Sequence, residues 1–121
     1  MKQFITDTAD IKKLVDTFYQ KVNADELLSP VFNTEAKLDW QKHLEKMYAF
    51  WGMQLIGTSG YQGNAFLPHT KLTISSAHFE KWLQLFIETI DENFIGDIAD
   101  LAKYKAKNIS AVFQYKLGLI S

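Results

Sequence analysis

The chain contains no cysteine and only two prolines in 121 residues. Without cysteine, disulfide bridges, thiolate catalysis and cysteine-ligated zinc are excluded. No apolar stretch approaches the roughly 20 residues that span a bilayer. Residues 1–7 already include the acidic Asp7, and they lack the apolar core of a secretory signal. These absences predict a soluble, cytoplasmic protein without a membrane anchor.

Motifs for several large enzyme classes are also missing. The chain has no glycine-rich phosphate loop, no Gly-x-Ser-x-Gly nucleophile turn and no His-Glu-x-x-His zinc motif. The net charge is −1 and no basic stripe forms, so we expect no nucleic-acid partner. The length suits one domain, residues 1–121, with a single core.

Aromatic side chains are plentiful, with nine Phe, five Tyr and three Trp. Composition alone allows two interpretations. The aromatic residues either fill an ordinary core, which is the commoner case, or they line a cavity for a flat apolar ligand.

Apolar residues recur at three- and four-residue spacing along most of the chain, which is typical of amphipathic helices. No segment is a credible strand, so the sequence predicts an all-α fold of four or five helices. Pro30 predicts that the connector over residues 25–33 does not continue the preceding helix. The predicted helices run over residues 7–24, over residues 36–56, from Ser75 or Ser76 to Gly96, and from a cap at Asp97 onwards.

Three polar side chains, Tyr19, His43 and Trp82, fall on or beside the predicted inner faces. A fourth, His69, follows the loop that precedes the third helix, and from there it can reach into the core. From spacing alone, Tyr19 is either a core tyrosine bonded to a backbone carbonyl or a donor to a ligand. His43 is either a structural hydrogen-bonding residue or part of a site. The inner faces carry almost no carboxylate, which argues against paired-carboxylate hydrolysis and a di-iron bundle. One histidine ligand, flat aromatic walls and a few donors are what a haem pocket requires.

Several short segments match a known family in order and spacing. They are Phe18-Tyr19, Pro30-Val31-Phe32, His43 with Phe50-Trp51, the segment 61–66 followed by His69, and His78-Phe79-Glu80-Lys81-Trp82. Together they resemble the truncated haemoglobins, and within them the group III (P-type) branch. The resemblance extends from about Ile11 to Leu117.

The resemblance implies a globin-like, shortened two-over-two helical sandwich around one haem b. His69 is implied as the iron ligand, and Tyr19, His43 and Trp82 as a polar cluster on the opposite face of the haem. His78 is interpreted as structural. The residues implied as apolar walls are Phe32, Met47, Phe50, Trp51, Phe66, Leu72 and Phe79.

The implied function is binding of dioxygen and other diatomic ligands such as NO and CO. A polar cluster slows ligand release, which argues against oxygen transport in bulk and favours redox chemistry. Two enzymatic activities are open: nitric-oxide dioxygenation, which detoxifies NO with a separate reductase, and peroxidase-like cleavage of peroxide. A non-haem helical binding module is the remaining alternative. We expect a monomer or a weak dimer.

Overall fold

The computed structural model describes residues 2–35, 39–58 and 74–119. In these ranges the chain is helical and forms no sheet, so the all-α prediction is confirmed. The elements are α1 (Thr8–Ala24), a π-helical segment (Val31–Glu35), α2 (Trp40–Ile56), α3 (Ser76–Asn93) and α4 (Asp97–Lys116).

The ends of α1 and α2 follow from local side-chain chemistry. Asp7 accepts a hydrogen bond from the backbone N–H of Asp10 at 3.1 Å, and the Asp10 carboxylate accepts one in return from the N–H of Asp7. This reciprocal capping box fixes the start of α1. Asp39 caps α2 by accepting from the N–H of Lys42, so α2 begins at residue 40 rather than at the predicted residue 36. Gly57 ends α2 with a φ of 70°, a conformation that favours glycine.

The boundary between α3 and α4 differs from the prediction. α3 ends at Asn93 rather than at Gly96, and Gly96 instead of Asp97 is the cap that precedes α4. The reason is a short pairing with the N-terminal segment. The N–H of Gln3 donates to the carbonyl of Asn93 at 3.1 Å, and the N–H of Ile95 donates to the carbonyl of Gln3 at 2.9 Å. This pairing holds the chain extended after Asn93, which ends α3 early.

The connector after α1 is more regular than expected. As predicted, α1 does not continue through Pro30, since it ends at Ala24. Asp25 accepts hydrogen bonds from the N–H groups of Leu27 and Leu28 at 3.0 and 2.9 Å and starts a new turn. Proline is tolerated in a first turn because its missing N–H has no partner there anyway. A π-helical segment, Val31–Glu35, therefore follows Pro30 directly.

The helices pack as one pair over another. α1 packs on α2 and on α3, α3 packs on α4, and α2 packs on α4. This is the two-over-two sandwich that the resemblance implied. In α4, Ala102 and Ala106 are fully buried, and their small side chains allow α4 to approach its neighbours closely. The largest fully buried side chains are Phe18, Phe86, Ile11, Leu14 and Ile90. None of the described helices is long and apolar enough to cross a membrane.

Candidate functional site

Tyr19 lies on the inner face of α1, where only 6% of its surface is exposed. Phe18, the preceding residue, is also buried and meets it edge to face, with ring centroids 4.8 Å apart. Burial raises the pKa of the Tyr19 phenol well above its ordinary value, because an apolar surrounding disfavours the phenolate. Tyr19 is therefore a neutral phenol and keeps a proton that it can donate.

His43 of α2 contacts Tyr19 directly. The two ring centroids are 5.0 Å apart and the ring planes are nearly perpendicular, at 82°. The Nε2 atom of His43 is buried. Two predicted site residues from different helices thus lie side by side, which sequence spacing alone could not establish.

Two further aromatic residues complete a cluster around this pair. Phe32 of the π-helical segment lies 6.0 Å from the Tyr19 ring and 6.1 Å from the His43 ring. The ring of Trp40, the first residue of α2, lies 5.6 Å from the Tyr19 ring and 5.6 Å from the His43 ring. Phe32 and Trp40 stack on one another at 5.9 Å. We call Tyr19, Phe32, Trp40 and His43 the distal cluster, after the face of the haem that the resemblance implied for Tyr19 and His43.

Trp82 of α3, the third predicted polar residue, is one ring further away. Its ring meets Phe18 edge to face at 5.7 Å and stacks on Phe86 at 5.6 Å with an angle of 8°. Phe18 in turn contacts Tyr19. Trp82 is therefore joined to the distal cluster through the ring of Phe18.

The predicted wall residues fall in two groups. Phe50, Trp51 and Phe79 are buried, whereas Phe32 and Met47 are half-buried and pack against the core. Trp51 stacks on Phe86 at 4.7 Å. The remaining predictions, Phe66, Leu72 and the iron ligand His69, lie outside the described residues.

Sequence reasoning missed Trp40 and Asn33. The indole N–H of Trp40 donates to Oδ1 of Asn33 at 2.7 Å. Trp40 could have been found, since it shares one stripe of α2 with His43 at a spacing of three. Asn33 gave no signal, because a polar residue after a proline reads as an ordinary connector.

His78 is confirmed as structural. Its Nδ1 accepts a hydrogen bond from the backbone N–H of Ser75 at 3.0 Å, at the start of α3. In the part of the chain that the structure describes, no group of three or more His, Asp or Glu side chains could hold a metal ion.

The family model described as bacterial-like globin matches residues 3–112. A group 3 truncated haemoglobin of Campylobacter jejuni is 31% identical over 125 aligned residues, which cover 98% of each chain. The crystal structure of a group III truncated haemoglobin from the same species superposes with a TM-score of 0.87 at 31% identity, covering 97% of this chain and 95% of that one.

Proposed function

The chain belongs to the bacterial-like globins, and to the group III truncated haemoglobins among them; from that premise we propose that it carries a haem b and binds dioxygen, NO or CO on the side of the distal cluster. The observation that carries this proposal is the contact of Tyr19 with His43, 5.0 Å between ring centroids inside an aromatic shell. A buried hydroxyl and a buried imidazole nitrogen in otherwise apolar surroundings suit a small polar ligand.

The described residues fit one face of a haem. Haem iron, when bound, supplies the position at which a diatomic ligand is coordinated. The resemblance assigns apolar walls to Met47, Phe50 and Phe79, of which Phe50 and Phe79 are buried and Met47 packs against the core. The family resemblance assigns the ligation of the iron to His69.

Tyr19 is the residue best suited to hold a polarised ligand. Its pKa is raised by burial, so its hydroxyl stays protonated at every physiological pH. A hydrogen bond from it to a ligand with partial negative charge is worth about 1.5–3 kcal/mol. Dioxygen is polarised in this way and CO much less, so Tyr19 favours dioxygen. His43 lies beside it, with 5.0 Å between the ring centroids.

Slow ligand release follows from this geometry. A bond of about 1.5–3 kcal/mol lowers a dissociation rate by roughly one to two decades. Such retention suits a reaction between bound dioxygen and NO better than delivery of oxygen. We therefore propose redox chemistry of dioxygen and NO, with electrons from a separate reductase, in the cytoplasm.

Haem binding is tested by titrating the purified chain with haem and recording the Soret band. We expect a stoichiometric complex in the wild type and in His78→Gln, in which glutamine can still serve the helix cap. His69→Ala should lose the complex. No Soret band in the wild type contradicts the proposal, and an unchanged spectrum of His69→Ala contradicts the assigned ligand.

A further inference from the structure

Tyr19 is covered unequally by its neighbours. Phe18, one of the rings in contact with it, is 1% exposed. The other three rings in contact with it, those of Phe32, Trp40 and His43, are all half-buried. Among the described rings around Tyr19, these three are therefore the ones that reach solvent.

Trp40 is the ring in this group with a specific tether. Its indole N–H donates to Asn33 at 2.7 Å, and this hydrogen bond lies at the exposed rim of the cluster. An indole N–H can only donate, so the Asn33 atom that faces it must be the oxygen. The Asn33 amide group is left to donate elsewhere.

Asn33 is itself held in place. Its Nδ2 donates to Oδ1 of Asn23 at 2.8 Å, and it lies 3.1 Å from both the carbonyl and the hydroxyl oxygen of Ser29. The oxygen and the nitrogen of the Asn33 amide group therefore both form hydrogen bonds. Through them Asn33 links Trp40 to α1 and to the turn before the π-helical segment.

Two consecutive residues of the π-helical segment contact Trp40. Phe32 stacks on the indole ring at 5.9 Å, and the next residue, Asn33, bonds the indole N–H. π-helical turns are rare and occur frequently at functional sites, because they place neighbouring side chains where a regular helix would not.

We propose that Trp40 is the gate through which ligands reach the distal cluster and that Asn33 is its latch. The inference rests on the proposed function, since it assumes a ligand that binds beside Tyr19 and His43. Opening the gate breaks one exposed neutral hydrogen bond and the ring contacts that Trp40 makes, and it leaves the contacts among Tyr19, Phe32 and His43 in place. Removing that bond should raise the open population about fivefold.

The test is the association rate of CO after flash photolysis of the ferrous CO complex. We expect Asn33→Leu to speed CO association about fivefold, and Trp40→Phe to do so at least as much. The double variant should be no faster than Trp40→Phe, because both changes remove the same bond. Asn108→Leu, the same substitution at an exposed position of α4, is the control and should keep the wild-type rate.

A second readout is independent of ligand kinetics. Hydrogen exchange of the Trp40 indole N–H, followed by NMR in the CO complex, should speed up in Asn33→Leu and stay unchanged in Asn108→Leu. Unchanged CO association in both gate variants, or rate increases that multiply in the double variant, overturns the proposal. Failure of the proposed function is distinguishable, because it shows as a missing Soret band in the wild type.

Discussion

Phe86 contacts Phe18, which in turn contacts Tyr19 of the distal cluster, and replacing Phe86 gives the sharpest test of the packing. Its side chain is 0% exposed. Its ring contacts three others, those of Phe18 at 5.1 Å, Trp51 at 4.7 Å and Trp82 at 5.6 Å. The contacts come from α1, α2 and α3, so Phe86 is the point where these helices meet.

The expected cost follows from burial and contacts. Truncation of a buried Phe to Ala costs about 3–5 kcal/mol. Aromatic pairs add about 0.5–1.5 kcal/mol beyond the buried area, so a residue with three such contacts belongs near the upper end. We expect Phe86→Ala to lose about 4–5 kcal/mol of unfolding free energy. A domain of ordinary stability has about 5–15 kcal/mol, so the variant should fold but melt at least 10 °C lower.

The assay is urea and thermal unfolding followed by far-UV circular dichroism, with all variants in the same haem-loaded form. Phe86→Leu keeps most of the volume but loses the three ring contacts, so it should lose about 1.5–3 kcal/mol, less than Phe86→Ala. Tyr104→Ala on α4, where the tyrosine is 63% exposed, is the control and should lie within about 0.5 kcal/mol of the wild type. A loss below about 1.5 kcal/mol for Phe86→Ala would refute the packing described for the three helices.

Two further perturbations follow from the local chemistry of α1 and α2. Asp7→Ala removes the side-chain half of the α1 capping box and should cost about 1 kcal/mol in urea unfolding; Asp7→Asn, which still caps, should cost less, and equal losses would contradict the capping role. The Tyr48 hydroxyl donates to the Asp16 carboxylate, and burial, together with Asp16, raises the pKa of Tyr48 to about 12. Since the folded chain holds this proton more tightly than the unfolded one, the stability from Tyr48 is present below pH 10 and declines as the pH rises towards 12. Tyr48→Phe should therefore cost about 0.5–1.5 kcal/mol at pH 7 and show a shallower loss of stability between pH 10 and 12; identical slopes would contradict the bond.

Periodicity and capping chemistry predicted most of the fold. The capping box of α1 is encoded within residues 7–10, so the start of this helix followed from the sequence alone. The early end of α3 did not, because it depends on backbone pairing with Gln3, about 90 residues away in sequence. The cap at Asp97 was wrong for the same reason. The pairing ends α3 before Gly96, and Gly96, with a φ of 108°, takes the cap position.

The placement of the polar residues on inner helix faces was predictable, but their arrangement was not. Tyr19 and His43 were each identified on an inner helix face, but their contact depends on how α1 packs on α2. The place of Trp82 beyond Phe18 depends likewise on the tertiary packing of α3. The hydrogen bond between Trp40 and Asn33 depends on a π-helical segment after Pro30. No periodicity in the sequence predicts that segment.

The central claim is that Tyr19 holds a polar diatomic ligand within the distal cluster. Stopped-flow measurement of dioxygen dissociation, with CO dissociation as the internal control, tests it most directly. We predict that Tyr19→Phe releases dioxygen about 10- to 100-fold faster than the wild type and changes CO release by less than about threefold. Dioxygen release at the wild-type rate in Tyr19→Phe would contradict the claim.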